Sequence, residues 1–275
     1  MASAKKRSLR RALFILAIVT LSCIFVFCAV KLAAYFIESN RVADLYDDLA
    51  ASVDDLRATV DSSESTGNDE PVPPVTSGGD TPVEPVMLPE YQLIYDRNPD
   101  TAGWITIADT KINYPVMQTP GRPDYYLTRD FSKAWSAWGA IYAGEIFDVN
   151  RPSDNIVLYG HHMKDGSMFA GLDKFKTQSF WQTHPTFSFD TLYERHTYQI
   201  WAVFKTSGDG DGIPYHLFAD AQNQEEFDRF ISSIKSAAFY ETGITPAYGD
   251  KLLTLSTCEY TQENGRFVVC AVQIS

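Results

Sequence analysis

The most one-sided stretch of the chain lies at its N-terminal end. From Leu13 to Val30 no residue is charged, and beyond Lys31 the apolar run resumes to Ile37. About 20 apolar residues in a helix cross the hydrocarbon core of a bilayer, and a lysine near one end can snorkel to the surface. The pattern therefore predicts a membrane-spanning helix over 13–37. Val42, Leu45, Tyr46, Leu49, Val53, Leu56 and Val60 then recur at spacings of three or four, which predicts an amphipathic helix or short coiled coil serving as a spacer. Past residue 60 the periodicity gives way to Ser, Gly, Pro and acidic residues, so 38–87 reads as a juxtamembrane helix followed by a semi-extended tether.

Residues 88–275 have a different texture. A short helix or turn through YQLIYDRNPD precedes seven runs of strand composition: GWITI, INYPVM, AIYAGEI, NIVLYG, TYQIWAVFK, KLLTLSTC and RFVVCAVQI, separated by Gly, Pro, Asn and Asp. In TYQIWAVFK both alternating sets are largely apolar, which implies a strand covered on both faces. One strong helix is predicted in NQEEFDRFISSIKSAAF, with Asn223 as cap, Glu226 closing a capping box, and Phe227, Phe230, Ile231, Ile234 and Ala238 on one apolar face. A smaller helical turn is expected in SMFAGLDKF. Many short strands with one good helix predict a mostly β fold, a closed or nearly closed barrel with attached helices.

Charge sets the orientation and removes one class of function. Lys5, Lys6, Arg7, Arg10 and Arg11 are five of the 23 basic residues and precede the apolar run, leaving 18 against all 35 acidic residues beyond it. The basic cluster predicts a cytoplasmic N-terminal segment over 1–12, a single-pass signal anchor and an extracellular 88–275. A cleaved signal peptide fits less well, since the apolar run is long and no A-x-A site follows. Nucleic-acid binding is excluded by the acidic balance of the folded part.

Four cysteines are present, two of them, Cys23 and Cys28, in the apolar run. Cys258 and Cys270 fall on neighbouring strands of a predicted hairpin. With Cys258 close to the turn and Cys270 well up the partner strand, they do not face each other and no disulfide is expected. Cys258 ends an apolar strand and opens into EYTQENG, which exposes a rigidly held thiol, whereas Cys270 in FVVCAVQI reads as core packing. His161 and His162 close NIVLYG at Gly160, where an imidazole can stabilise a thiolate and protonate a leaving amine. Arg266 lies across the turn from Cys258, placed either as an ordinary solvated arginine or as a guanidinium that stabilises an oxyanion. His184, His196 and His216 sit in polar or turn-like surroundings without metal-ligand spacing, and no metal or cofactor is expected.

Taken together, TLSTCEY, YGHHMKDGSMF and Arg266 in NGRFVVCAV resemble the sortases, and the class B branch in particular. NPDTAGWITI, INYPVMQ and DYYLTRDF extend the resemblance over nearly all of 88–275. It implies a closed eight-stranded β-barrel with an N-terminal helical element and a long helix between the sixth and seventh strands, for which residues 223–239 qualify. It also implies Cys258 as nucleophile, His161 as the catalytic histidine and Arg266 as the catalytic arginine. Ser256 falls on a position associated with substrate contact, and Thr257, Glu259 and His162 are grouped with it as substrate-binding positions. The position of His162 is commonly Asn in class B. The implied activity is cleavage of a C-terminal sorting motif after Thr on an exported protein, through a thioester, with transfer to an amine of peptidoglycan. A pilin lysine is the alternative acceptor. A papain-like hydrolase and a non-catalytic surface barrel are the rival readings.

Overall fold

Eight strands form in the C-terminal part: β1 (Thr101–Thr106), β2 (Asn113–Met117), β3 (Ile141–Ala143), β4 (Asn155–Tyr159), β5 (Thr186–Thr191), β6 (Thr197–Ser207), β7 (Leu252–Glu259) and β8 (Gly265–Gln273). They close into a barrel in the order β1-β2-β3-β4-β7-β8-β6-β5. The computed structural model describes residues 2–64, 85–149, 153–261 and 263–275, so most of the expected tether lies outside the described residues. Closure leaves no free sheet edge. Two of the neighbouring pairs, β2 with β3 and β4 with β7, run parallel, and the others are antiparallel.

Seven strands coincide with the apolar runs read from the sequence. The eighth, β5, is TFSFDT, in which Phe187, Phe189 and Asp190 are buried among Thr and Ser. Strand β6 is buried on both faces along its middle, from Ile200 to Phe204. Among the described residues the α-helices are α1 (Ala2–Glu64), α2 (Pro89–Arg97), α3 (Gln178–Thr183) and α4 (Gln224–Ala237), of which α4 packs against the outside of β6. The amphipathic face of α4 buries Phe227, Ile231 and Ile234, each worth roughly 1.5–3 kcal/mol when removed from water. Phe230 stacks on Phe218 with ring centroids 3.8 Å apart. Asn223 caps α4 by accepting from the Glu226 amide at 3.0 Å, as the pattern predicts. The return bond of the box differs: the Glu226 carboxylate accepts from the Gln222 amide at 2.9 Å, one residue earlier than the Asn223 amide of a capping box. A 3-10 segment, Phe169–Lys176, covers parts of β6, β7 and β8 where a helical turn is expected.

The chain divides into two units, Met1–Asp47 and Asp48–Ser275. In the first, α1 is long and apolar enough to cross a membrane, and its large side chains such as Phe14, Phe25 and Ile37 are exposed. In the second, the end of α1 is part of the barrel's packing: Leu49 and Val53 are fully buried. Arg57 donates to Tyr91 Oη and, at 2.6 Å, to Asp190 Oδ2, while Arg195 reaches the fully buried Glu90 at 2.6 Å. Buried carboxylates are tolerated here because each meets a guanidinium.

Candidate active site

The site grows from one parallel pairing. Strand β4 lies alongside β7 in the register Tyr159 to Ser256, so both strands deliver their C-terminal ends to the same rim of the barrel. Two hydrogen bonds fasten those ends: the Gly160 amide donates to the Ser256 carbonyl at 3.2 Å, and the Thr257 hydroxyl donates to the Gly160 carbonyl at 2.7 Å. Gly160 is required by space. A Cβ there would lie 2.5 Å from Ile141 Cδ1 and 2.8 Å from the Phe169 ring.

The chain then presents His161. Its Nε2 lies 2.7 Å from the Leu127 carbonyl oxygen, and because a carbonyl only accepts, that nitrogen carries a proton. Gly139, at φ +60°, supports the ring: an added Cβ would come within 3.1 Å of His161 Cδ2 and 2.7 Å of two carbonyl oxygens. On the other side, Cys258 near the end of β7 pairs directly with Arg266 near the start of β8. Arg266 Nη1 donates to the carbonyls of Asn264 and Gly265 at 3.2 and 3.1 Å, which anchors the guanidinium to its own hairpin.

His161, Cys258 and Arg266 line one cleft of about 320 Å³. Ser256 and Thr257 border it too, but both are buried, and the Ser256 hydroxyl shares a 2.7 Å hydrogen bond with Tyr215 Oη. The cleft owes its walls to residues that sequence reasoning passed over: Leu127, Tyr142, Tyr159, Tyr215 and His216. Leu127 lies in DYYLTRDF, Tyr142 in AIYAGEI and Tyr159 in YGHHMKDGSMF, and His216 reads as a histidine in polar or turn-like surroundings, but none of them was singled out for the site. Burial raises the hydroxyl pKa of Tyr142, with a hydrogen bond to Asp124 adding to the shift; burial likewise raises Tyr159 and Tyr215. These phenols stay neutral, and the hydroxyls of Tyr142 and Tyr215 are engaged by Asp124 and Ser256.

Cys258 is half-buried and also borders a second, smaller cleft of about 200 Å³ with His162, Asp173, Lys176, Glu259 and Tyr260. The two adjacent histidines thus face different spaces that share one sulfur. His162 Nε2 bonds Asp173 Oδ2 at 2.9 Å. Glu259 is buried, with one oxygen 2.6 Å from Lys205 Nζ and the other accepting from the Thr261 hydroxyl and amide at 2.6 and 2.9 Å. Burial alone would raise this carboxyl, but the ammonium and the Thr261 donors together hold it down at about 2.

Cys270 pairs with Thr254 rather than with Cys258, and both cysteines are free thiols, as the hairpin register implies.

A family model described as the Sortase domain matches residues 105–274. The chain is 33% identical to sortase B of Listeria monocytogenes over 66% of its own length and 72% of that protein. It is 30% identical to sortase B of Staphylococcus aureus, over 67% and 75% respectively. The solved structure of the S. aureus sortase B complexed with MTSET superposes with a TM-score of 0.70 at 25% identity, covering 86% of this chain and 90% of that one. A cysteine beside arginine on a closed eight-stranded barrel, with these relatives, places the chain in the sortase family, as a cysteine transpeptidase of the class B type.

Proposed function

We propose that Cys258 is the acyl-accepting nucleophile, that His161 exchanges the proton of the leaving amine, and that Arg266 holds the substrate carbonyl as charge develops on it. One observation carries this reading: the β4–β7 and β7–β8 registers bring these three residues to a single cleft. In this scheme the Cys258 thiolate attacks the carbonyl of a threonine in a C-terminal sorting motif. The C–N bond breaks, His161 protonates the departing amine, and a thioester remains. Since Nε2 of His161 is engaged by Leu127, Nδ1 is the nitrogen left for that exchange. Arg266 offers its remaining guanidinium donors to the oxyanion. A free amine then attacks the thioester and takes the acyl group.

The biological substrate in this proposal is an exported protein, and the acceptor is an amine of peptidoglycan. The apolar part of α1 anchors the chain, with the basic N-terminal segment in the cytoplasm and the barrel outside. Incubating the full chain in detergent with fluorogenic peptides of the form x-P-x-T-x, and either a cell-wall cross-bridge amine or a lysine peptide, tests the scheme. Cleavage after Thr, lost in Cys258→Ala and His161→Ala, supports it. A peptide-cleaving Cys258→Ala variant would overturn it, and transfer to the lysine peptide alone would replace peptidoglycan by a pilin acceptor.

A further inference from the structure

We infer that His162, oriented by Asp173, is the base that activates the incoming amine, and that the second cleft beside Cys258 is the door through which this amine arrives. This rests on the proposed role of Cys258 and divides the two half-reactions between two adjacent histidines. His161 serves acylation from the larger cleft, and His162 serves transfer from the smaller.

Placement comes first. Consecutive residues at the end of an extended segment send their side chains to opposite sides, so His161 and His162 cannot share one space. The structure follows that rule: one ring lines the cleft of Arg266, the other the cleft of Glu259 and Tyr260, and Cys258 borders both. A thioester on Cys258 can therefore be approached from the side opposite to the departed amine, without displacing the bound acyl segment.

His162 is also held more firmly than a solvated loop histidine. Its backbone forms a β-bridge with Met168, and its carbonyl accepts from Tyr260 Oη at 3.1 Å. Its ring meets the Tyr260 ring edge-on at 5.5 Å between centroids. Asp173 takes the ring's Nε2 at 2.9 Å on one carboxylate oxygen, while Lys176 holds the other oxygen at 2.8 Å. A carboxylate on Nε2 fixes that nitrogen as the protonated one and leaves the lone pair on Nδ1. This is the arrangement a general base needs, a third group orienting the imidazole.

The chemistry balances. An amine terminus, with a pKa of about 7.7–8.0 for an α-amino group and about 10.4 for a side-chain ammonium, arrives mostly protonated near neutral pH, and the protonated form cannot attack. Nδ1 of His162 takes one proton, the amine nitrogen bonds the thioester carbon, the C–S bond breaks and Cys258 leaves as thiolate. A second proton on the new amide nitrogen and the one on His162 pass to solvent. The carboxylates bordering this cleft, Asp173 and Glu259, are each matched by a lysine, Lys176 and Lys205, so the cleft selects its occupant by proton abstraction and not by net charge. The ligand class is a primary amine small enough to enter a cleft of about 200 Å³.

The test separates acylation from transfer in the full-length protein. With a fluorogenic sorting peptide, the burst reports thioester formation, and the ratio of amide product to hydrolysed product at fixed triglycine reports transfer. His162→Asn and Asp173→Asn should each lower that ratio at least tenfold, and higher triglycine should not restore it. Asp173 is a positioning residue, so Asp173→Glu should recover part of the ratio. A ratio unchanged in both Asn variants overturns the inference, as does a burst that falls in step with transfer. Absence of a burst in the unmodified protein, or its persistence in Cys258→Ala, would instead defeat the nucleophile assignment.

Discussion

Cys258 and Cys270 occupy the two strands of one hairpin, yet their surroundings differ in every respect that bears on reactivity. Cys270 pairs with Thr254 in the middle of the sheet, is 1% exposed, and has the Thr254 hydroxyl 3.7 Å from its sulfur. Burial pushes its thiol up to about 12, with that hydroxyl pulling weakly the other way. Cys258 pairs with Arg266 next to the hairpin's turn, at the open end of the barrel, and borders two clefts. The same residue type becomes packing in one place and chemistry in the other because of register alone. A four-residue walk along β7, from Thr254 to Cys258, moves from the sealed middle of the barrel to its open rim.

The largest effect that can break this comparison is the exchange of each thiol. Cys258→Ala should lower peptide cleavage by about 10³-fold or more, since among the described residues no other nucleophile borders both clefts. Cys270→Ala should leave cleavage within about threefold and cost about 1–2 kcal/mol through the small cavity it opens, read from urea midpoints. A methanethiosulfonate reagent should modify Cys258 in the native protein and reach Cys270 only after unfolding. Equal native labelling of the two would end the contrast.

How much of this was legible beforehand depends on how local the signal is. The hairpin and the two free thiols follow from short apolar runs, whereas the set His161, Cys258, Arg266 rested on the resemblance to the sortases; the register brings the three together. Strand β5 was not read, because Thr, Ser and Asp fill most of TFSFDT and only its two Phe mark a buried face. Its pairing with β1, which closes the barrel, has no local signature. The cleft walls were missed for the same reason: Tyr142, Tyr159 and Tyr215 come from three separate strands and loops that only the closed barrel unites. Asp173 sat inside a segment expected to be a helical turn, where a carboxylate has no reason to stand out. Arg57 was read as part of a spacer, yet it is tied to Tyr91 and Asp190 in the barrel's own unit.

Arg266 is what the Cys258 end of the hairpin has and the Cys270 end lacks. Lysine there keeps the charge and loses the planar fork, so Arg266→Lys should lower kcat/KM by about 10²-fold. A variant with the normal rate would show that charge alone suffices at the open end.

Gly139 tests the support behind His161 at the same rim. Alanine would need a positive φ and would press on two carbonyl oxygens and the imidazole, so Gly139→Ala should cost about 1–2 kcal/mol of stability. The displaced ring should lower cleavage by about tenfold, with the burst reduced in proportion. Stability lost without any change in the burst would show that His161 does not depend on this contact.

The smallest effect concerns the polar closure of the open end, where Lys205 offsets the buried Glu259 one residue beyond Cys258. Glu259 has a folded-state pKa of about 2, below the usual carboxylate value near 4.3, so its ionised form stabilises the fold above that value and the contribution disappears as pH falls toward 2. Removing the ammonium in Lys205→Met leaves burial opposed only by the Thr261 donors, which raises the folded-state pKa and moves the loss to higher pH. The variant should therefore be less stable than the parent by about 1–2 kcal/mol at pH 7, discounted because Lys205 is partly exposed. The gap should narrow steadily below pH 4, because protonated Glu259 no longer distinguishes the two proteins. Urea unfolding at pH 7, 5, 4 and 3 measures it. A gap independent of pH would assign the role of Lys205 to its packing, and the open end would then owe nothing to this ion pair.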